Sequence, residues 1–96
     1  NAINYHNKGA AYLRSGRIEE ALGCFEKAIE IDSKLALSYS WRGDCFKALK
    51  QYQFALDSYN TAYKVSGNEV YLKEKKNMEE MLEQLEPKRK KFLGLF

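Results

Sequence analysis

Apolar positions along the first two-thirds of the chain recur at steps of three and four. Ile18, Ala21, Leu22, Phe25, Ala28 and Ile29 fall on one helical face, and Tyr52, Ala55, Leu56, Tyr59, Ala62 and Tyr63 repeat that face. The breaks between such runs carry their own signals. Ser15-Gly16 suits a helix end, since glycine accepts a left-handed C-terminal cap. Asp32-Ser33 and Ser66-Gly67-Asn68 each offer a break followed by an N-cap for the next helix. The pattern predicts four helices over roughly residues 2–15, 18–31, 36–49 and 52–65. A fifth is predicted over roughly 69–86, rich in Glu and Lys, with Tyr71, Met78, Met81, Leu82 and Leu85 as a narrow apolar stripe. Pro87 lacks an N–H and clashes with the preceding turn, so the helix is expected to stop or kink there.

The chain also matches itself. A shift of thirty-four residues pairs Ala2 with Ala36, Tyr5 with Tyr39, Gly9 with Gly43 and Tyr12 with Phe46. It goes on to pair Ile18 with Tyr52, Ala21-Leu22 with Ala55-Leu56, Phe25 with Tyr59, Ala28 with Ala62 and Ile31 with Val65. Large residues meet large ones and small meet small, as a stacked helical repeat requires. The first copy reads Tyr5-x2-Lys8-Gly9-x2-Tyr12, Ala21-x3-Phe25, Ser33; the second reads Tyr39-x2-Arg42-Gly43-x2-Phe46, Ala55-x3-Tyr59, Gly67. This resembles the tetratricopeptide repeat family, whose pattern is W-x2-L-G-x2-Y, A-x3-F, P. Two departures recur: Lys8 and Arg42 stand where the family has Leu, and Ser33 and Gly67 stand where it has Pro. Long aliphatic stems can pack in place of Leu while the charge reaches water.

The resemblance implies an all-α fold, a right-handed helical-hairpin solenoid of five helices. Residues 2–67 form two repeats (2–35 and 36–67), 68–86 a capping helix, and 87–96 a basic-hydrophobic tail. Gly9 and Gly43 are read as sites of close helix approach, with Ala21 and Ala55 as their small partners. The fifth helix has Asn77 at the glycine place and is therefore read as a cap. About three stacked units are usually needed for stability, so an excerpt of a longer protein or an oligomer is expected.

Composition changes this picture little. Of sixteen basic residues, Lys88, Arg89, Lys90 and Lys91 sit in the tail; without them twelve face thirteen acidic ones. The body is thus near neutral, which disfavours a nucleic-acid-binding helical repeat, although the basic tail keeps that alternative in view. Membrane attraction from four charges is modest. Phe92-Leu93-Gly94-Leu95-Phe96 is sticky, and Phe92 continues the stripe seven residues after Leu85. The tail is expected to pack on the chain's own apolar surface or in a neighbouring copy, giving self-association. Cys24 and Cys45, with no CxxC spacing and a lone His6, supply neither a zinc set nor a nucleophilic triad. No metal or other cofactor and no enzymatic activity is expected, and the cysteines suit a reducing, cytoplasmic setting.

In the family, the first helix of each pair lines a concave groove. By that resemblance the groove here takes Ile3, His6, Asn7, Ala10, Leu13 and Arg14 from the first pair and Leu37, Ser40, Trp41, Asp44, Lys47 and Ala48 from the second. The cap helix adds Tyr71, Lys75 and Met78. Trp41 is the favoured anchor, because Tyr39 already fills the repeat's aromatic core slot; the competing reading is filler between repeats. The resemblance implies a protein-interaction adaptor that binds a partner peptide or helix. Co-chaperone members hold an Hsp70 or Hsp90 C-terminal carboxylate with Lys and Asn on first helices. The corresponding places here hold His6, Ala10 and Trp41, so such tail capture is the lesser alternative.

Overall fold

The computed structural model describes the backbone of residues 1–92 and Gly94, and the side chains of residues 1–85. Five helices follow in order: α1 Ala2–Arg14, α2 Ile18–Ile31, α3 Ala36–Ala48, α4 Tyr52–Ser66 and α5 Glu69–Phe92. Each begins and ends for local reasons. Asn1 caps α1 by accepting a hydrogen bond from the Asn4 amide, and Asn68 accepts from the Val70 amide at the start of α5. Gly16 (φ 81°) turns the chain out of α1, and Gly67 (φ 67°) out of α4, both in the left-handed region. Lys50 (φ 62°) takes that conformation between α3 and α4, where a side chain is disfavoured. Asp32 differs from its expected role: its carboxylate accepts from the Lys34 amide within the loop, and Leu35 stands at the N-cap of α3 without a side-chain cap.

The helix does not stop at Pro87, since α5 runs on to Phe92. One proline removes one helical hydrogen bond at about 3 kcal/mol, and Glu, Gln, Leu, Lys and Arg on either side are strong helix formers that sustain the turn. The expected docking of the 87–96 tail, Phe92 included, concerns side chains outside the described residues.

α1 and α2 pair as one hairpin and α3 and α4 as the next; α2 packs on α3 and α4 on α5, which stacks the units into a helical-hairpin solenoid about 51 × 29 × 19 Å. The repeat is visible in the core. Ala21, Phe25 and Cys45 form one buried cluster, with Tyr12, Leu13, Ile18, Leu22 and Trp41 against it. Ala55, Tyr59 and Met78 form the second, with Phe46, Tyr52, Leu56, Met81 and Leu82. The glycines work as expected, but against other partners. A Cβ at Gly9 would lie 2.8 Å from the Phe25 ring, and one at Gly43 would lie 2.6 Å from the Tyr59 ring. The rings, not Ala21 and Ala55, occupy the space that the glycines leave.

Met78 meets α4 as Cys45 meets α2, so the step into α5 is thirty-three residues instead of thirty-four. Gly67 and Asn68 alone join α4 to α5, whereas four residues, Asp32 to Leu35, join α2 to α3. The tighter turn shifts the register of α5 by one residue.

Candidate interaction face

The first helices of the units, α1, α3 and α5, carry the expected groove residues, and burial divides them. Ile3, Asn7, Arg14, Leu37, Lys47 and Ala48 are exposed; Leu13, Trp41, Asp44, Tyr71 and Lys75 are half-buried. His6, Ala10, Ser40 and Met78 are buried and are corrected from groove to core. Three of the four are claimed by neighbouring helices. The His6 ring lies 5.3 Å from the Phe25 ring and 5.5 Å from the Trp41 ring, and its Nδ1 is 2.9 Å from the Ser38 hydroxyl. Ser40 donates its hydroxyl to the Glu74 carboxylate, and Met78 sits in the second core cluster.

Trp41 straddles the edge of the core. One part packs on the Ala21–Phe25–Cys45 cluster; the rest is accessible, with the Arg14 guanidinium 5.8 Å from the ring centroid. The helix positions nearby present a second feature. Ile3, Leu37 and Val70 are each the second residue of their helix, and they are 59%, 45% and 55% exposed. Large aliphatic side chains at the same place in three successive first helices make a repeated apolar ladder that is exposed among the described residues. Val70 escaped the sequence reading because the one-residue shift of α5 hides it from a strict thirty-four-residue comparison. Glu74 and Asn77, which border a cavity against α3, escaped for the same reason.

Polar residues between the helices are paired. Arg42, half-buried, donates from Nε to the Ser58 hydroxyl and lies over the Tyr39 ring, so its guanidinium is engaged within the repeat. Tyr59 donates to Asp44 and Tyr39 to the Ser33 carbonyl. Among the described residues no buried side-chain polar atom lacks a partner. Burial lifts the Asp44 and Glu74 carboxyls above their ordinary range, Tyr59 and Ser40 partly offsetting this by donating to them. Burial pushes the Cys45 thiol up to about 12, so it remains an unreactive thiol at neutral pH. Both cysteines are free, and no group of three or more His, Cys, Asp or Glu among the described residues is placed to hold a metal ion. No described helix is long and apolar enough to cross a membrane.

His6 links this face to stability. Burial lowers its pKa below the ordinary 6.5, so the unfolded chain takes up a proton more readily than the folded one. The stability that follows from a neutral His6 is full above about pH 6.5 and is lost as pH falls through the folded value. The urea midpoint is expected to drop between pH 7 and 5, and to drop less in His6→Gln. An equal drop in both proteins contradicts the assignment. The raised carboxyls of Asp44 and Glu74 act in the opposite sense, favouring the folded state where they become protonated.

Residues 2–35 match the family model of the tetratricopeptide repeat. Serine/threonine-protein phosphatase 5 of Rattus norvegicus is 41% identical over 69 residues, covering 72% of this chain but 14% of that protein. The Hsp70-Hsp90 organizing protein of Triticum aestivum is 31% identical over 64 residues, 67% of this chain and 11% of that protein. The chain therefore spans a small fraction of the length of these relatives. Among solved structures, the Sgt2 TPR domain from Aspergillus fumigatus superposes with a TM-score of 0.84 at 24% identity, over 91% of this chain and 60% of that one. The Arabidopsis OM64 TPR domain gives 0.79 at 27% identity, over 84% and 68%. The second TPR of Spaghetti (RPAP3), bound to the HSP90 peptide SRMEEVD, gives 0.80 at 21% identity, over 95% and 85%.

Proposed function

We propose that this chain, which belongs to the tetratricopeptide repeat family and is a protein-interaction module, binds an extended partner segment across α1, α3 and α5. The observation that carries this reading is the exposed ladder of Ile3, Leu37 and Val70, with half-accessible Trp41 beside it. Exposed aliphatic side chains in register offer apolar contact along a line, and a large ring partly anchored in the core is pre-ordered for binding. Asn7, Leu13, Lys47, Tyr71 and Lys75 supply the remaining accessible contacts. Free Cys24 and Cys45 accord with a reducing compartment.

Capture of a heat-shock tail is the second reading, favoured by the Spaghetti (RPAP3) domain that shares the fold and is bound to an HSP90 peptide. The places that co-chaperone members use for the carboxylate hold His6 and Ala10, both buried, and Trp41. Binding of SRMEEVD measured by calorimetry is accordingly expected to be weaker than micromolar; micromolar binding would overturn the mixed apolar groove. The direct test compares proteins captured from lysate by the wild type, Leu37→Asp, Trp41→Ala and Phe54→Asp, the last altering an exposed residue on α4. Proteins lost with Leu37→Asp and Trp41→Ala and kept with Phe54→Asp are expected. Equal recovery by all four sinks the reading.

A further inference from the structure

The ladder does not account for the cavity at one end of this face. A space of about 100 Å³ lies between α3, α4 and α5, bordered by Asp44, Lys47, Tyr59, Glu74, Asn77, Met78 and Met81. Asp44 and Glu74 are half-buried, and the Asp44 charge makes an ionised Glu74 costlier. Each is served only by neutral hydroxyls: Tyr59 donates to Asp44, and Ser40 reaches both Glu74 oxygens at 3.0 and 3.2 Å. Among the described residues no cation lies within ion-pair distance of either, and Lys47, which lines the cavity, favours their ionised forms only from farther off. The ion pairs among the described residues are Arg17–Glu20 and Lys27–Glu30.

An ionised carboxylate has about four acceptor sites, so hydrogen-bonding capacity remains on both groups. Half-buried carboxylates whose nearest described cation stays beyond ion-pair distance carry a desolvation cost that a closer positive charge offsets. The flexible thioethers of Met78 and Met81 suit a methylene stem, which long basic side chains bury while their heads seek polar partners.

We propose that this cavity receives a lysine or arginine side chain of the bound segment, so that the preferred ligand combines a basic residue with apolar residues lying along the ladder. This rests on the peptide-binding reading above and adds the chemistry of the partner. The match is one of charge and shape: a positive head between Asp44 and Glu74, an aliphatic stem on the methionines.

A displayed library of random peptides, panned on the intact chain, tests it. The wild type is expected to select peptides enriched in Lys or Arg at a fixed spacing from apolar residues. Against the double variant Asp44→Asn/Glu74→Gln, which preserves side-chain size, those peptides should bind about tenfold more weakly or worse. A companion measurement needs no protein variant: replacing the basic residue of a selected peptide by norleucine should weaken binding to the wild type by a similar factor. Selected peptides without basic enrichment, or insensitive to norleucine, overturn the cationic-pocket proposal and leave the peptide-binding reading standing. Selection of no peptide at all overturns both.

Discussion

Phe25→Ala is expected to lower the unfolding free energy by about 3–5 kcal/mol, the range for removing a buried phenylalanine and leaving a cavity. Phe25 is fully buried, and its ring holds together three elements: it fills the space that Gly9 leaves on α1, and it packs near His6 of α1 and Trp41 of α3. The vacated volume would be lined mainly by Ala21, Cys45, Leu22 and the aromatic rings, so little else can fill it. Native domains are typically stable by about 5–15 kcal/mol, and small ones lie toward the lower end. The variant should therefore be largely unfolded at 37 °C, seen as lost helical circular dichroism and a urea midpoint near zero. A loss below about 1 kcal/mol would mean that the first cluster is not a packed core.

Gly43→Ala is the second large effect, and its sign separates packing from propensity. Within a helix the change should stabilise by about 1 kcal/mol, because glycine is the poorer helix former. Here the new Cβ would sit 2.6 Å from Tyr59 Cε1 and within 3 Å of two more atoms of that ring. The ring cannot easily yield, since it is buried in the second cluster and its hydroxyl is tied to Asp44. Overpacking of this kind costs about 1–3 kcal/mol, so a net loss is expected. Gly23→Ala is the contrast: a Cβ there meets nothing within 4 Å, on an exposed position inside α2. It should stabilise by up to about 1 kcal/mol. Thermal or urea unfolding of the two variants should move in opposite directions; movement in the same direction would show that close helix approach at Gly43 is not what fixes the repeat.

These two substitutions also mark what the sequence made legible. The apolar steps of three and four and the paired glycines located α1 to α4 within a residue or so, because both are properties of a helix and its nearest partner. The register of α5 was less accessible. It depends on a two-residue turn at Gly67-Asn68, and one residue of slip moved Val70 and Glu74 to places that the thirty-four-residue comparison assigns to their neighbours. The fate of His6 and Ser40 was hidden for a different reason. Polar residues are expected at the surface unless they are paired, and their partners, Ser38 and Glu74, lie thirty-two and thirty-four positions away on another helix. Such pairs follow from docking, not from periodicity. Trp41 was read as either anchor or filler, and its position across the edge of the core explains why residue type alone left both open.

The central claim is that partners bind across the first helices, and amide chemical-shift mapping tests it most directly. The ¹⁵N-labelled chain would be titrated with a peptide selected from the random library. The account expects progressive shifts at Ile3, Asn7, Leu37, Trp41, Val70 and Lys75 on α1, α3 and α5, together with the Trp41 indole N–H, while the exposed positions of α2 and α4 stay fixed. Shifts confined instead to α2 and α4, with Leu37 and Val70 unmoved at saturation, would contradict it.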